Sequence, residues 1–174
     1  MSQGTLGALQ ERQARDPTDL DIQPASLPTD LPALTSLFRA YAASLPIDLG
    51  YQGFDGELAA LPGKYAPPAG ALLIARDANG AALGCVAMRP LDDEGVCEMK
   101  RLYVAPAGRG QGFGKALALA LIEAARTGGY REMRLDTLPT MADAQALYRT
   151  LGFEEMAPYY DTPIAGTVFL SLKL

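Results

Sequence analysis

The stretch EMKRLYVAPAGRGQGFGK, residues 98–115, decides how the rest of this chain is read. Its first half, residues 99–104, is rich in apolar and aromatic residues and predicts a strand, which Ala105 and Pro106 terminate. Gly108, Gly110, Gly112 and Gly114 then punctuate a turn, after which apolar residues recur at helical spacing. A glycine turn lets the backbone approach a ligand closely. The helix start it feeds offers unpaired N–H groups and roughly half a positive charge. Arg109 and Lys115 add cations beside it, and the combination suits a phosphate or pyrophosphate.

Spacing separates the phosphate-binding turns that this stretch could form. A Walker loop requires a glycine where Arg109 stands and a hydroxyl where Ala116 stands. The dinucleotide fingerprint G-x-G-x-x-G fails in every register, because its third glycine falls on Phe113, Lys115 or Leu117. What remains is Arg109-x-x-Gly112-x-Gly114.

Composition narrows the chemistry. The chain has 174 residues and a net charge of -5, which fits one globular domain over residues 19–174 preceded by a mobile arm, residues 1–18. The acidic balance, without a basic run, argues against nucleic acid and against an anionic membrane surface. Lys100, Arg101, Arg109 and Lys115 form a local basic cluster, which favours a small polyanionic ligand. No apolar run approaches the roughly 20 residues needed to span a bilayer, and the expected location is the cytoplasm. Cys85 and Cys97 lie in apolar stretches and read as buried thiols. With no histidine and no close cysteine pair, no metal site is expected. Any acid or base must come from Asp, Glu, Tyr, Lys or Cys.

Along the chain, residues 8–15 read at most as a weak helix, and residues 20–24 as a short strand. Thr29 is the expected N-cap of an amphipathic helix carrying Leu31, Leu34, Phe38, Tyr41 and Leu45, and a shorter helix follows over residues 55–61. From Gly70 the texture is that of strands. Asn79-Gly80 and the polar turn at residues 92–95 separate three apolar runs, which predicts three antiparallel strands. Residues 113–126 form a helix with a narrow polar stripe, most of whose surface should be buried, and residues 131–137 return as a strand. A strand, a helix and a strand imply a right-handed crossover and a parallel pair, so the sheet is mixed. Thr140 with Asp143 reads as a capping box for a helix that Gly152 stops, and a final strand covers residues 167–174.

The turn Arg109-x-x-Gly112-x-Gly114 resembles the Q/R-x-x-G-x-G/A turn of the GNAT acyltransferase superfamily. Residues 146–153, ALYRTLGF, resemble the A-x-x-L-Y-x-x-x-G-F pattern on that superfamily's last helix. The order of elements from about Leu20 to Leu174 is similar as well. The resemblance implies an α/β (α+β) fold: a mixed, mostly antiparallel sheet of six or seven strands with a central splay, flanked by about four helices. It implies acetyl-CoA as co-substrate, with the pyrophosphate over the amides of Gln111, Gly112, Phe113, Gly114 and Lys115, and with Arg109 and Gly110 at its edge. The pantetheine arm is expected between the strand ending at Val104 and the strand ending at Thr137, bonded by the main chain of Leu102, Tyr103 and Val104.

The same resemblance implies direct attack of a primary amine on the thioester, in a ternary complex. An alkylammonium with a pKa of about 10 must first lose a proton, and the departing thiolate must gain one. Tyr148 is the expected acid. Glu98 leads as base, with Asp136 second. Tyr41, Tyr51, Phe54, Tyr159, Tyr160 and Asp161 are candidates for the acceptor pocket, about half of them packing residues. Arg101 is expected to project opposite to Glu98. The acceptor, a small molecule or a protein amino group, stays open, and a homodimer is compatible with the sequence. The alternative is a non-catalytic acyl-CoA-binding module, in which Tyr148 and Glu98 would be dispensable. A nucleotide-phosphate enzyme has no Walker or magnesium-ligand pattern behind it.

Overall fold

The computed structural model describes residues 20–174. The arm expected over residues 1–18, with its weak helix, lies outside the described residues. Seven strands form one sheet: β1 (Asp21–Pro24), β2 (Ala71–Arg76), β3 (Ala82–Pro90), β4 (Val96–Val104), β5 (Glu132–Thr137), β6 (Glu154–Glu155) and β7 (Val168–Lys173), in the order β1-β2-β3-β4-β5-β7-β6. All neighbouring pairs are antiparallel except β4 with β5. Four α-helices accompany them among the described residues: α1 (Leu31–Ser44), α2 (Phe54–Ala60), α3 (Phe113–Thr127) and α4 (Ala142–Thr150). This is the mixed, mostly antiparallel architecture that the resemblance implies.

Each face of the sheet carries its own core. Strand alternation sends Leu72, Ile74, Cys85 and Ala87 against α1, and Leu73, Ala75, Val86 and Met88 against α3. Leu117 and Leu121 of α3 are fully buried, each worth about 1.5–3 kcal/mol of apolar burial. The sequence suggests a helix buried on most sides; instead α3 buries one face and leaves Leu119 at 47% exposure. Sheet contact on a single side accounts for that difference.

Two features of β4 position the site. Its pairing with β5 covers only Val96↔Glu132, Cys97↔Met133 and Glu98↔Arg134, after which the strands separate. A cleft therefore opens in the middle of the sheet. The second feature is a bulge, where the register with β3 shifts between Cys85 and Ala87 and Arg101 adopts a φ of 59°. An extra residue reverses the alternation. Cys97, Met99, Leu102 and Val104 pack on the α3 side, while Arg101 and Tyr103 turn to the α1 side. The strict alternation that set Arg101 opposite to Glu98 is thus corrected: Lys100 Nζ, which lies 3.7 Å from Glu98, and Arg101 Nη1 both donate to Gln52 Oε1.

Helix boundaries shift locally. Asp30, not Thr29, caps α1, and its carboxylate is taken by the Ser26 N–H and by Arg76. The capping box expected of Thr140 and Asp143 is absent: Met141 occupies the N-cap of α4 without a side-chain bond.

Candidate active site

The turn before α3 presents a row of open main-chain N–H groups. Gly110 and Gly112 have φ of 76° and 79°, in the left-handed region that favours glycine. A Cβ added at either would meet nothing within 4 Å, so both positions border open space. Gly108 differs, because its Cβ would stand 3.1 Å from Val104 Cγ1, and its smallness serves packing. Ala116 N–H is bonded back to Gly112 O at 3.0 Å, whereas the N–H groups of residues 110–115 have no partner among the described residues. Exposed N–H groups at the positive end of a helix of 15 residues are what an anion requires. The Phe113 ring is core, so only its N–H belongs to that row.

The edge of β4 facing the cleft continues this arrangement. Ala105 N–H donates to Leu83 O at 2.7 Å, and Tyr103 is opposite Cys85. By the alternation of an antiparallel ladder, Tyr103 gives its main-chain groups to β3, and Leu102 and Val104 turn theirs toward the cleft. Tyr103 therefore leaves the expected set of main-chain ligands. Arg109 Nε already donates to Val104 O at 3.2 Å, which ties the turn to the strand end.

The cleft is narrow, about 40 Å³, and is lined by Met99, Leu135, Asp136, Thr137 and Tyr148 among others. Tyr148 enters it from α4. A Schellman closure fixes the end of that helix: Phe153 N–H bonds Tyr148 O at 3.0 Å and Gly152 N–H bonds Arg149 O at 3.0 Å, with Gly152 at φ 97°. Phe153 folds back edge-on to the Tyr148 ring at 5.7 Å. The Tyr148 hydroxyl has no partner among the described residues, and burial pushes its pKa up, so it is protonated at neutral pH. Thr137 Oγ1 is buried without a partner among the described residues. Asp136 accepts from the Tyr160 hydroxyl at 2.8 Å through Oδ2. Unpaired polar atoms in a narrow cleft of mixed lining fit the amides and thioester of a pantetheine arm.

Beyond Lys100 and Arg101 the cleft meets a second cavity of about 510 Å³, between α2 and the loop carrying Tyr160 and Asp161. Its floor is a charge network. Glu98 is fully buried; its Oε1 accepts from Arg89 Nε at 2.9 Å, and its Oε2 accepts from the Tyr159 hydroxyl at 2.5 Å. Burial alone would raise the Glu98 pKa, but Lys100, Tyr159 and Arg89 together hold it below the ordinary value. Arg101 donates to both oxygens of Glu57 and stacks on Tyr41 and Phe54. Tyr65 also donates to Glu57. Burial lowers the pKa of Lys100, whose Nζ donates to Gln52 Oε1 at 3.2 Å and lies 3.7 Å from Glu98 Oε1.

The expected residues are thus divided between two joined spaces. Tyr148, Asp136, Leu102 and Tyr41 line the cleft, while Glu98, Tyr160 and Asp161 line the larger cavity and Tyr51 lines both. Phe54 and Tyr159 are packing residues, the latter against Phe169 and Tyr160. Arg89, Gln52 and Glu57 were not foreseen. Arg89 had a signal, since a hairpin closed over residues 92–95 places it directly opposite Glu98. Gln52 and Glu57 had none, as they arrive from a separate layer.

A family model described as the acetyltransferase (GNAT) family matches residues 35–153. The chain is 42% identical over 158 residues to an uncharacterized N-acetyltransferase of Schizosaccharomyces pombe, covering 91% of this chain and 97% of that one. It is 34% identical to the uncharacterized N-acetyltransferase YjgM of Escherichia coli, over 73% of this chain and 78% of the relative. Among solved structures, a putative acyl-CoA N-acyltransferase from Klebsiella pneumoniae superposes with a TM-score of 0.67 at 30% identity, covering 90% of this chain and 99% of the other. The fold is shared with yncA from Salmonella typhimurium, solved with acetyl-CoA, at a TM-score of 0.64 and 22% identity over 88% and 93% of the two chains. The turn, the cleft and these likenesses define an acyltransferase. The chain belongs to the GNAT acetyltransferase family.

Proposed function

We propose that this protein transfers an acetyl group from acetyl-CoA to a primary amine, both bound at once, with the cleft holding the thioester and the larger cavity holding the acceptor. The observation that supports this most is the continuity of unpaired groups from the open N–H cradle at residues 110–115 through the edge of β4 to the free Tyr148 hydroxyl. The N–H groups of Gln111, Gly112, Phe113, Gly114 and Lys115 hold the pyrophosphate, with Gly110 and Arg109 at its edge, and the main chain of Leu102 and Val104 holds the arm. Acetyl-CoA supplies an acyl carbon activated as a thioester. The amine nitrogen, having lost one proton from its ammonium form, bonds to that carbon; it gives up a second proton as the amide forms, the carbon–sulfur bond breaks, and the departing sulfur takes up one proton.

Tyr148 delivers one proton to the sulfur. Its raised pKa makes that transfer uphill to a thiolate of pKa near 8.5, so it must accompany C–S cleavage and not precede it. For the proton leaving the amine, Asp136 is better placed than Glu98. Asp136 faces the cleft with Tyr148 and has only one of its oxygens hydrogen-bonded among the described residues. Glu98 has both oxygens occupied and a lowered pKa, so it acts on the proton only through Tyr159 or Lys100, and its main work is to hold the cations Arg89 and Lys100. Release of the coenzyme A thiol in an amine panel tests the reading. Asp136→Asn should lower kcat by about 100-fold or more, and Glu98→Gln by less. The reverse order would return the base to Glu98. Acetyl-CoA binding without thiol release from any amine would favour the non-catalytic module.

A further inference from the structure

The cavity of about 510 Å³ has a floor whose carboxylate and amide oxygens are engaged, while two of its cations, Arg89 and Lys100, keep donors without a partner among the described residues. Glu98 is engaged through both oxygens, by Arg89 and Tyr159, and Glu57 through both oxygens, by Arg101 and Tyr65. Gln52 Oε1 takes both Lys100 and Arg101, and its Nε2 donates to Tyr51. On the donor side, Arg89 uses only Nε. Its contact with Glu98 runs through that one nitrogen while Tyr159 takes the other oxygen, and its terminal edge, Nη1 and Nη2, has no partner among the described residues. The Arg89 side chain is 28% exposed and lines the cavity. Among the described residues Lys100 has one hydrogen bond for three N–H donors, besides its ion pair with Glu98, and it lines both the cavity and the cleft.

We infer that the amine acceptor carries a carboxylate, which the free edge of Arg89 and the spare N–H donors of Lys100 receive. The inference rests on the acetyltransferase reading and names its substrate class. A planar guanidinium edge matches a carboxylate with two parallel hydrogen bonds. Charge agrees with this: the floor holds three cations, Arg89, Lys100 and Arg101, against two carboxylates, Glu57 and Glu98, leaving one positive charge that a monoanion neutralises. Asp136, across the junction in the cleft, faces the other pole of an amino acid, its ammonium. Lys64 and Asp161 at the mouth are exposed and of opposite sign, and do not alter the balance.

The test is a rate panel with acetyl-CoA in which free L-amino acids, β-alanine and γ-aminobutyrate are compared with their amides and decarboxylated amines, and β-alanine with phosphoethanolamine. The best carboxylate acceptor should exceed its matched amide in kcat/KM by at least about tenfold. Arg89→Lys, which keeps a cation beside Glu98 but loses the flat edge, should raise that acceptor's KM at least about tenfold, while its calorimetric affinity for acetyl-CoA matches wild type. An amide, a plain amine or phosphoethanolamine that is used as well or better overturns the inference, and so does an unchanged KM in Arg89→Lys. If no amine releases thiol, the acetyltransferase reading fails separately. Calorimetry with the same free amino acids and amides on the coenzyme A-loaded protein then decides: binding of the carboxylates alone sustains the anion site, and equal or absent binding removes it.

Discussion

The two halves of the site are made of different material. The proposed acyl half is main chain: a glycine turn, the N-terminus of α3 and one open edge of β4, with Tyr148 as its proposed acid. The proposed acceptor half is side chain, assembled from β3, β4, α2, the turn before α2 and the loop at residues 159–161. Main-chain N–H groups recognise what every member of a family must bind, and they depend on spacing. Side-chain networks recognise what distinguishes one member, and they depend on which layers happen to meet.

The largest test of this division is Tyr148→Phe. Loss of the hydroxyl should lower turnover by about 100-fold, with acetyl-CoA affinity unchanged by calorimetry, because the ring and its contact with Phe153 remain. Turnover within a few-fold of wild type would remove Tyr148 from the reaction.

On the acceptor side, Arg101→Ala should act on stability first. The Arg101 side chain is 2% exposed, sits at a strained φ of 59°, and its removal leaves Glu57 without its ion pair. A loss of about 3–5 kcal/mol in denaturant unfolding is expected. A loss below 1 kcal/mol, of the size found for surface pairs, would show that the network does not hold this half together.

Paired glycine substitutions separate binding from packing within the turn. Gly112→Ala places a Cβ in open space at a φ costing about 1–2 kcal/mol, and should weaken acetyl-CoA binding. Gly108→Ala drives a Cβ toward Val104 and Leu83, and should lower Tm with less effect on affinity. The same response from both would mean that the cradle is only a turn.

The smallest effect concerns pH. The folded pKa of Glu98 is below the ordinary 4.5, so the unfolded chain takes up the proton first on acidification. Its contribution to stability is therefore complete above pH 4.5 and lost as pH falls through the folded value. Glu98→Gln should be less stable than wild type at neutral pH, and the difference should close below pH 4.5. A difference independent of pH would assign it to packing.

The same division explains what the sequence could reveal. The strand, glycine turn and helix at residues 98–115, the crossover to β5 and the Gly-Phe closure after Tyr148 are local patterns, and each lies where its pattern implies. The Arg101 side is different, because a single bulge residue reverses an alternation that no local signal marks, and it brought to the acceptor cavity a cation expected on the other face. The pairing of Arg89 with Glu98 could be counted from the hairpin. Glu57, Gln52 and Tyr159 reach the network only through tertiary packing, and their pairing has no counterpart in spacing.

The most direct test is a crystal structure with acetyl-CoA bound. The account places the pyrophosphate on the N–H groups of residues 110–115 and the sulfur within about 4 Å of the Tyr148 hydroxyl, between the separating ends of β4 and β5. A thioester bound outside that cleft, or a Tyr148 hydroxyl turned away from the sulfur, would contradict it.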